Sequence, residues 1–266
     1  MATTNVQFGE LPLTVIAAVE RRIGGIVETR PVAGGAGSVV SAYAETVYGG
    51  YYVRGLPVGH PRAWTLSREF DINPFVVPVS PRLEWRVTLD GWDLLVFQYV
   101  EGRHADYSPA SADLAVVVDI MWAVGRLPCL DVKARPAEER WARYSETPEL
   151  FKGDRLLHTA WHPKNVLVSH AEAHLVGWTS PTKGGAWIDP ACWVIWLMQA
   201  GHDPAAAERA ASRVPAWGTA SPEALDAFAM AQANFWGDVV HDEPGQFVKQ
   251  VAAAAQRWTL HRQSLR

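Results

Sequence analysis

Lysine is missing from the first half of the chain, where none precedes Lys133, although arginine is frequent throughout. A mechanism that needs a lysine in that half is therefore excluded. Cysteine is scarce: Cys129 and Cys192 cannot make a disulfide framework and fit reduced thiols in a cytoplasm. Long apolar runs are missing too. The longest, Ala191 to Ala200, is broken by Gln199 and is about half of the ~20 residues needed to cross a bilayer. Met1 to Glu10 has no basic region followed by an apolar stretch, so no secretory signal is expected. Net charge is -4 and the pI about 6.1, which leaves no broad basic footprint for nucleic acid. The sequence shows no internal repeat, no low-complexity linker and no G-x-S-x-G elbow.

What remains is a chain of 266 residues, 48% hydrophobic, with mean hydropathy -0.05. That is one large domain or two small lobes, neither disordered nor a membrane bundle. Arginine outnumbers lysine and alanine is abundant, as in a GC-rich bacterial coding sequence. The 13 tryptophans either fill a core or line an aromatic pocket.

The spacing predicts a helix over Thr14 to Ile23, stopped by Gly24-Gly25. Strands follow over Ile26 to Ala33, Ser38 to Thr46 and Tyr51 to Leu56, with the turn Gly34-Gly35-Ala36-Gly37 between the first two. Pro61 to Ile72 reads as a helix, and Asp90-Gly91 between Leu83–Leu89 and Trp92–Val100 as a hairpin. The pattern then changes. Ser111 to Leu127 is a long helix capped by Ser111, and Pro136 to Tyr144 another. Leu156-Leu157, Val166 to Val168 and His174 to Val176 are too short for helices and read as small strands around a loop. Helices follow over Pro190–Ala200, Pro204–Arg213, Pro222–Trp236 and Gly245–His261, two of them opened by Asp203-Pro204 and Ser221-Pro222. The expected organisation is a β-rich lobe over 1–98, a crossing over 99–102 and a helical lobe over 103–266.

Two constellations bear on chemistry. A Gly-rich turn between strands can lay backbone amides on phosphates, but the turn at Gly34, Gly35 and Gly37 is not a Walker A motif, because no Gly-Lys-Ser/Thr and no helix follow. The second runs His158-Thr159-Ala160-Trp161-His162-Pro163-Lys164-Asn165, then Leu175-Val176-Gly177-Trp178, then Trp187-Ile188-Asp189-Pro190. In order and spacing it resembles the aminoglycoside phosphotransferase family of the protein-kinase-like fold, which reads H-G-D-x-x-x-x-N, then I/V-D-W/F, then D-P opening a helix. The resemblance implies an α+β fold with a small antiparallel β-rich N-lobe and a large, mainly helical C-lobe.

Carried over residue by residue, the resemblance implies a degenerate centre. The family's proton-accepting Asp falls on Ala160 and its Mg²⁺-holding Asp on Gly177. The family's lysine on the third strand falls on Arg54, and the helix Glu that orients it on Glu69. His158, Asn165 and Asp189 are retained, Asn165 as the one remaining metal ligand and Asp189 in a structural role. A nucleotide pocket would involve Gly34, Gly35, Gly37, Arg54, Glu69, Gln98 and Val100, and a ligand cleft Trp161, Trp178 and Trp187. General-base help is typically worth ~10²–10⁴-fold, and Ala160 has no acceptor for it. A hard cation prefers charged oxygens, and Arg is no like-for-like exchange for Lys. Asp154, Glu101 and Asp106 complete no second carboxylate site. His158 and His162 lack a third ligand with metal-site spacing.

The expected function is that of a pseudokinase, a catalytically impaired member of this family that binds a small molecule or a protein partner, with no metal or cofactor, no nucleic acid and no membrane. The alternative is an ATP/Mg²⁺-dependent small-molecule O-phosphotransferase working through non-standard residues. A third possibility is a folded remnant with no ligand.

Overall fold

The computed structural model describes residues 6–32, 38–129, 132–170 and 172–265. The chain packs as two units. One reaches Gly102 and includes Leu175–Thr179, so this short segment leaves the lobe in which the sequence order places it; the other begins at Arg103.

The first unit is built on an antiparallel sheet of β1 (Ile26–Pro31), β2 (Val40–Thr46), β3 (Gly49–Pro57), β4 (Leu83–Leu89) and β5 (Trp92–Gln98), in the order β1-β2-β3-β5-β4. Helix α1 (Leu13–Ile23) carries Val15, Val19 and Ile23 one turn apart, and these pack with Val40, Ala42, Val53, Leu94 and Val96. Gly24 ends α1 at φ +93°, where a side chain would also strike the Tyr48 ring. The alternation of β3 turns Val53 to this cluster and Leu56 to a second one, with Leu66 and Leu95. Leu66 belongs to α2 (Trp64–Val76), whose buried stripe also holds Glu69, Ile72, Asn73 and Val76. The β4–β5 hairpin turns at Asp90 and Gly91 with φ of +46° and +80°, the left-handed pair that matches strand twist.

Helix α2 starts at Trp64 rather than Pro61, because residues 60–66 first form three-residue turns (Ala63 N–H to His60 O, Leu66 N–H to Ala63 O). It then continues past Ile72 through Pro74 in its last turn. Strand β1 ends at Pro31. Ala33 and the whole Gly-rich turn lie outside the described residues.

The second unit holds β6 (Arg103–His104), α3 (Asp113–Val124), β7 (Arg135–Pro136), α4 (Ala137–Arg140), β8 (Arg155–Leu157), β9 (Val166–Ser169), β10 (Glu172–Leu175, its last residue in the first unit) and β11 (Thr182–Gly184). These strands form two small sheets, β10-β9-β6 and β7-β11-β8. Helices α5 (Ile188–Gln199), α6 (Pro204–Ala211), α7 (Pro222–Asp242) and α8 (Gln246–Ser264) complete it. Every residue of α5 from Ile188 to Met198 is buried, as its sequence, apolar but for Asp189, dictates. Asp203 and Ser221 cap α6 and α7 by accepting from the amides of Ala206 and Ala224, as their sequence signature predicts.

Several boundaries differ from expectation. Helix α3 begins at Asp113, and Ser111 is not its cap; its hydroxyl accepts from the Asp113 amide at 3.3 Å while Arg103 clamps the Asp113 carboxylate. The helix predicted over Pro136 to Tyr144 breaks at Trp141, with φ -107°, into α4 and a 3-10 turn. Helices α7 and α8 run on to Asp242 and Ser264, α7 continuing through Gly237. Among the described residues no helix is long and apolar enough to cross a membrane.

Candidate functional site

The segment resembling a catalytic loop leaves β8 and ends in the 3-10 turn Pro163–Asn165 before β9. Its backbone is held from α5. Asp189, in the first turn of that helix, accepts from the amides of His158 (3.0 Å to Oδ2) and Thr159 (2.7 Å to Oδ1). The Ala160 amide donates to His158 Nδ1 at 3.2 Å, which places the ring proton of the neutral imidazole on Nε2. Asn165 Nδ2 donates to the Ala160 carbonyl at 2.8 Å. The three residues retained from the motif, His158, Asn165 and Asp189, thus converge on the backbone around position 160. The side chain at that position is a methyl group.

Two residues missed by sequence reasoning complete this frame. Thr159 sits at φ +64°, a left-handed conformation strained for a β-branched residue, at the place where the family motif has glycine. Its hydroxyl donates to the His158 carbonyl and accepts from Arg140 Nη1 at 2.8 Å. The same Nη1 meets the Ser180 carbonyl at 3.0 Å and Thr182 Oγ1 at 2.6 Å. A threonine where the motif has glycine was the available signal for Thr159. Arg140, in the short α4, has no signature in the sequence.

Burial decides the electrostatics. It pushes the Asp189 carboxyl up to about 6, against the opposing pull of the nearby Trp161 indole, the two loop amides and the Arg140 charge. The Trp161 indole N–H meets no acceptor at hydrogen-bond distance among the described residues. Burial, with Lys164 and His104 nearby, holds His162 down at about 4, so it is neutral near pH 7. Its Nδ1 accepts from the Lys164 amide.

In the first unit, Arg54 on β3 and Glu69 on α2 are joined as a buried pair: Nη1 lies 2.8 Å from Oε1 and 2.7 Å from Oε2. Burial raises the Glu69 carboxyl, and Arg54 pulls it back. The β3 alternation that turns Val53 to α1 turns Arg54 to the buried stripe of α2, where Glu69 lies one turn from Leu66. Gln98 ends β5 and donates its amide to the Arg82 carbonyl, and Val100 lies in the segment beyond.

Gly177 lies in Leu175–Thr179, with φ +79° and no side chain to offer. The segment is tied within the first unit. The Leu175 amide donates to the Val79 carbonyl, Ser80 Oγ donates to the Leu175 carbonyl at 2.6 Å, and Trp178 Nε1 donates to Ser80 Oγ at 2.7 Å.

Trp161, Trp178 and Trp187, the residues expected to line a ligand cleft, are all buried side chains. Their exposures are 0%, 4% and 4%. Trp161 packs edge-on to His158, and Trp187 against Phe151 and Phe228. Large flat side chains stabilise a core through the area they remove from water, and these three do so here. Cys192 is likewise buried in α5, while Cys129 is partly exposed, and neither forms a disulfide.

No family model matches the chain, and no curated protein sequence does. Solved structures do. The choline kinase LicA from Streptococcus pneumoniae is similar over 93% of this chain and 99% of its own, with a TM-score of 0.65 at 13% identity. A putative aminoglycoside phosphotransferase from Ralstonia eutropha is similar over 95% and 98%, with a TM-score of 0.65 at 13% identity. Aminoglycoside phosphotransferase APH(4)-Ia is similar over 92% and 99%, with a TM-score of 0.62 at 11% identity. Agreement across nearly the full length of each, at such low identity, is agreement of backbone. The chain has the protein-kinase-like fold of the aminoglycoside phosphotransferases and choline kinase to which it is similar.

Proposed function

We propose that the chain is a catalytically impaired protein of the aminoglycoside phosphotransferase type that acts by binding a small molecule or a protein partner. One observation carries this reading. The loop is held in full by Asp189, His158 and Asn165, yet the position they frame is Ala160, which offers no proton acceptor. The residues present do not fit a magnesium–nucleotide. Gly177 supplies no carboxylate, and Asn165, its Nδ2 held by the Ala160 carbonyl, offers one neutral oxygen to a cation that favours charged ones. The unpaired Cys129 and Cys192 support a reducing cytoplasm as its location.

A second reading, an ATP-dependent small-molecule O-phosphotransferase using non-standard residues, is favoured by the Arg54–Glu69 pair, which keeps the charge arrangement of the motif it resembles.

Thermal unfolding with ATP and Mg²⁺, ATP with EDTA, and a metabolite panel separates the two. Ligand at 100 times its Kd adds about 2.7 kcal/mol of stability, a readable shift. The wild type is expected to show no Mg²⁺-dependent shift with ATP. The Ala160→Asp/Gly177→Asp double variant is expected to gain one. Tight ATP binding by the wild type that EDTA abolishes would overturn the impaired reading in favour of the second.

A further inference from the structure

The first unit has two outer strands, and they are guarded differently. On β1, Pro31 and a register shift between Ile26 and Glu28 interrupt the outer edge, as edges commonly are. On β4 a register shift between Leu83 and Trp85 interrupts the start of the strand, but the stretch Trp85–Leu89 beyond it keeps an unbroken register with β5 and holds no proline. The two-residue turn at Asp90-Gly91 makes Leu89 and Trp92 a hydrogen-bonded pair. Alternation from there turns the peptide groups of Leu89 and Val87 toward β5, and those of Thr88 and Arg86 toward the open edge.

That edge borders a groove lined by Arg86, Val87, Thr88 and Leu89 on one side and by Ala18, Arg21 and Arg22, at the end of α1, on the other. Arg86 is clamped by Asp93 through Nε and Nη2, at 2.9 and 2.7 Å, so its charge is met internally. Arg21 and Arg22 are exposed and have no carboxylate partner among the described residues. The groove therefore combines outward-facing peptide groups with two uncompensated guanidinium charges.

We propose that this groove docks an extended, acidic segment of a partner protein, which adds to the sheet beside β4 and sets its carboxylates against Arg21 and Arg22. Main-chain hydrogen bonds to Arg86 and Thr88 give the pairing, and the arginines give the choice of partner. Side chains on an added strand face the same way at every second residue, so an alternating acidic pattern presents all its carboxylates to α1. The four β4 residues of the groove span about 13 Å at the rise of a strand, so a segment of four to six residues, roughly, fills it. The groove lies wholly in the first unit, and its occupation does not depend on the state of the loop at Ala160.

The test uses the full chain and a fluorescein-labelled nine-residue peptide of alternating glutamate and threonine. Saturable anisotropy is expected, with slowed hydrogen exchange at the amides of Arg86 and Thr88. Arg21→Glu/Arg22→Glu should weaken binding at least tenfold, and an alternating lysine–threonine peptide should not bind. The acidic peptide methylated on the alternate amides that face β4 should lose binding, which tests strand addition without altering the protein. Thr88→Pro removes the outward N–H together with the hydroxyl that donates to Asp93 Oδ1, whereas Thr88→Val removes the hydroxyl alone, so binding should weaken with Thr88→Pro and persist with Thr88→Val. Equal binding of the methylated peptide would reduce the site to charge attraction and overturn the proposal. So would failure of the acidic peptide to bind, or a concentration-dependent dimer abolished by Thr88→Pro, which would make a second copy the occupant.

Discussion

Arg54 directs one guanidinium nitrogen, Nη1, at both carboxylate oxygens of Glu69, and the two side chains are 9% and 5% exposed. Arg54 Nε is buried with no partner among the described residues. Glu69 is thus the group that compensates this charge in an otherwise apolar layer of Leu56, Leu66 and Leu95. Glu69→Gln leaves the charge without its counter-ion, and breaking such a pair costs about 3–5 kcal/mol. An apolar replacement of both partners, Arg54→Met with Glu69→Leu, removes the unpaired charge and should recover most of that loss. Urea unfolding of the two variants decides it. A double variant as unstable as Glu69→Gln would show that the layer needs the ions themselves.

Asp189 and His162 should pull the pH dependence of stability in opposite directions. With its carboxyl raised to about 6, against an ordinary value of 3.8, Asp189 keeps a proton in the folded state that the unfolded chain has lost. Its contribution is fully present below about pH 4 and is lost as pH rises through about 6. His162, lowered to about 4 from 6.5, contributes stability that is present above about pH 6.5 and lost as pH falls through about 4. Asp189→Asn should therefore make stability rise more steeply with pH between about 4.5 and 6.5, and His162→Gln should make it rise less. Urea midpoints across that range check both, and a profile for Asp189→Asn parallel to the wild type would refute the first.

The strain at Thr159 can be separated from its hydrogen bonds. Thr159→Val keeps a β-branched residue at φ +64° and removes the hydroxyl that meets Arg140 and the His158 carbonyl. The lost bonds cost about 1–3 kcal/mol. Thr159→Gly loses the same bonds but relieves a left-handed conformation worth about 1–3 kcal/mol of strain, so it should lie near the wild type. Equal destabilisation of the two variants would mean that the backbone there is unstrained.

Much of this was legible in the sequence. The motif from His158 to Pro190 resembles that of the aminoglycoside phosphotransferases, and the resemblance implied both the protein-kinase-like fold and the meeting of Arg54 with Glu69. Both follow from a motif whose residues stand close together in the sequence. Arg140 was not legible, because its partners Thr159, Ser180 and Thr182 come from loops and short strands whose approach no periodicity records. Nor was the tie of Leu175–Thr179 to Ser80, a link between residues about a hundred positions apart. The burial of Trp161 was also missed. Its place next to Ala160 pointed to an open wall, whereas the side chain is wholly buried and packs edge-on to His158.

The carboxylate that holds the loop belongs to α5, a helix buried on every side from Ile188 to Met198. Such a helix can hardly be altered without unfolding its unit. The loop backbone is therefore fixed by the same packing that holds the unit together. Position 160 enters that scaffold only through its peptide groups, which meet His158 and Asn165, so the shape of the loop makes no demand on the side chain there. In this architecture the course of the loop and the chemistry at its centre are set by different residues.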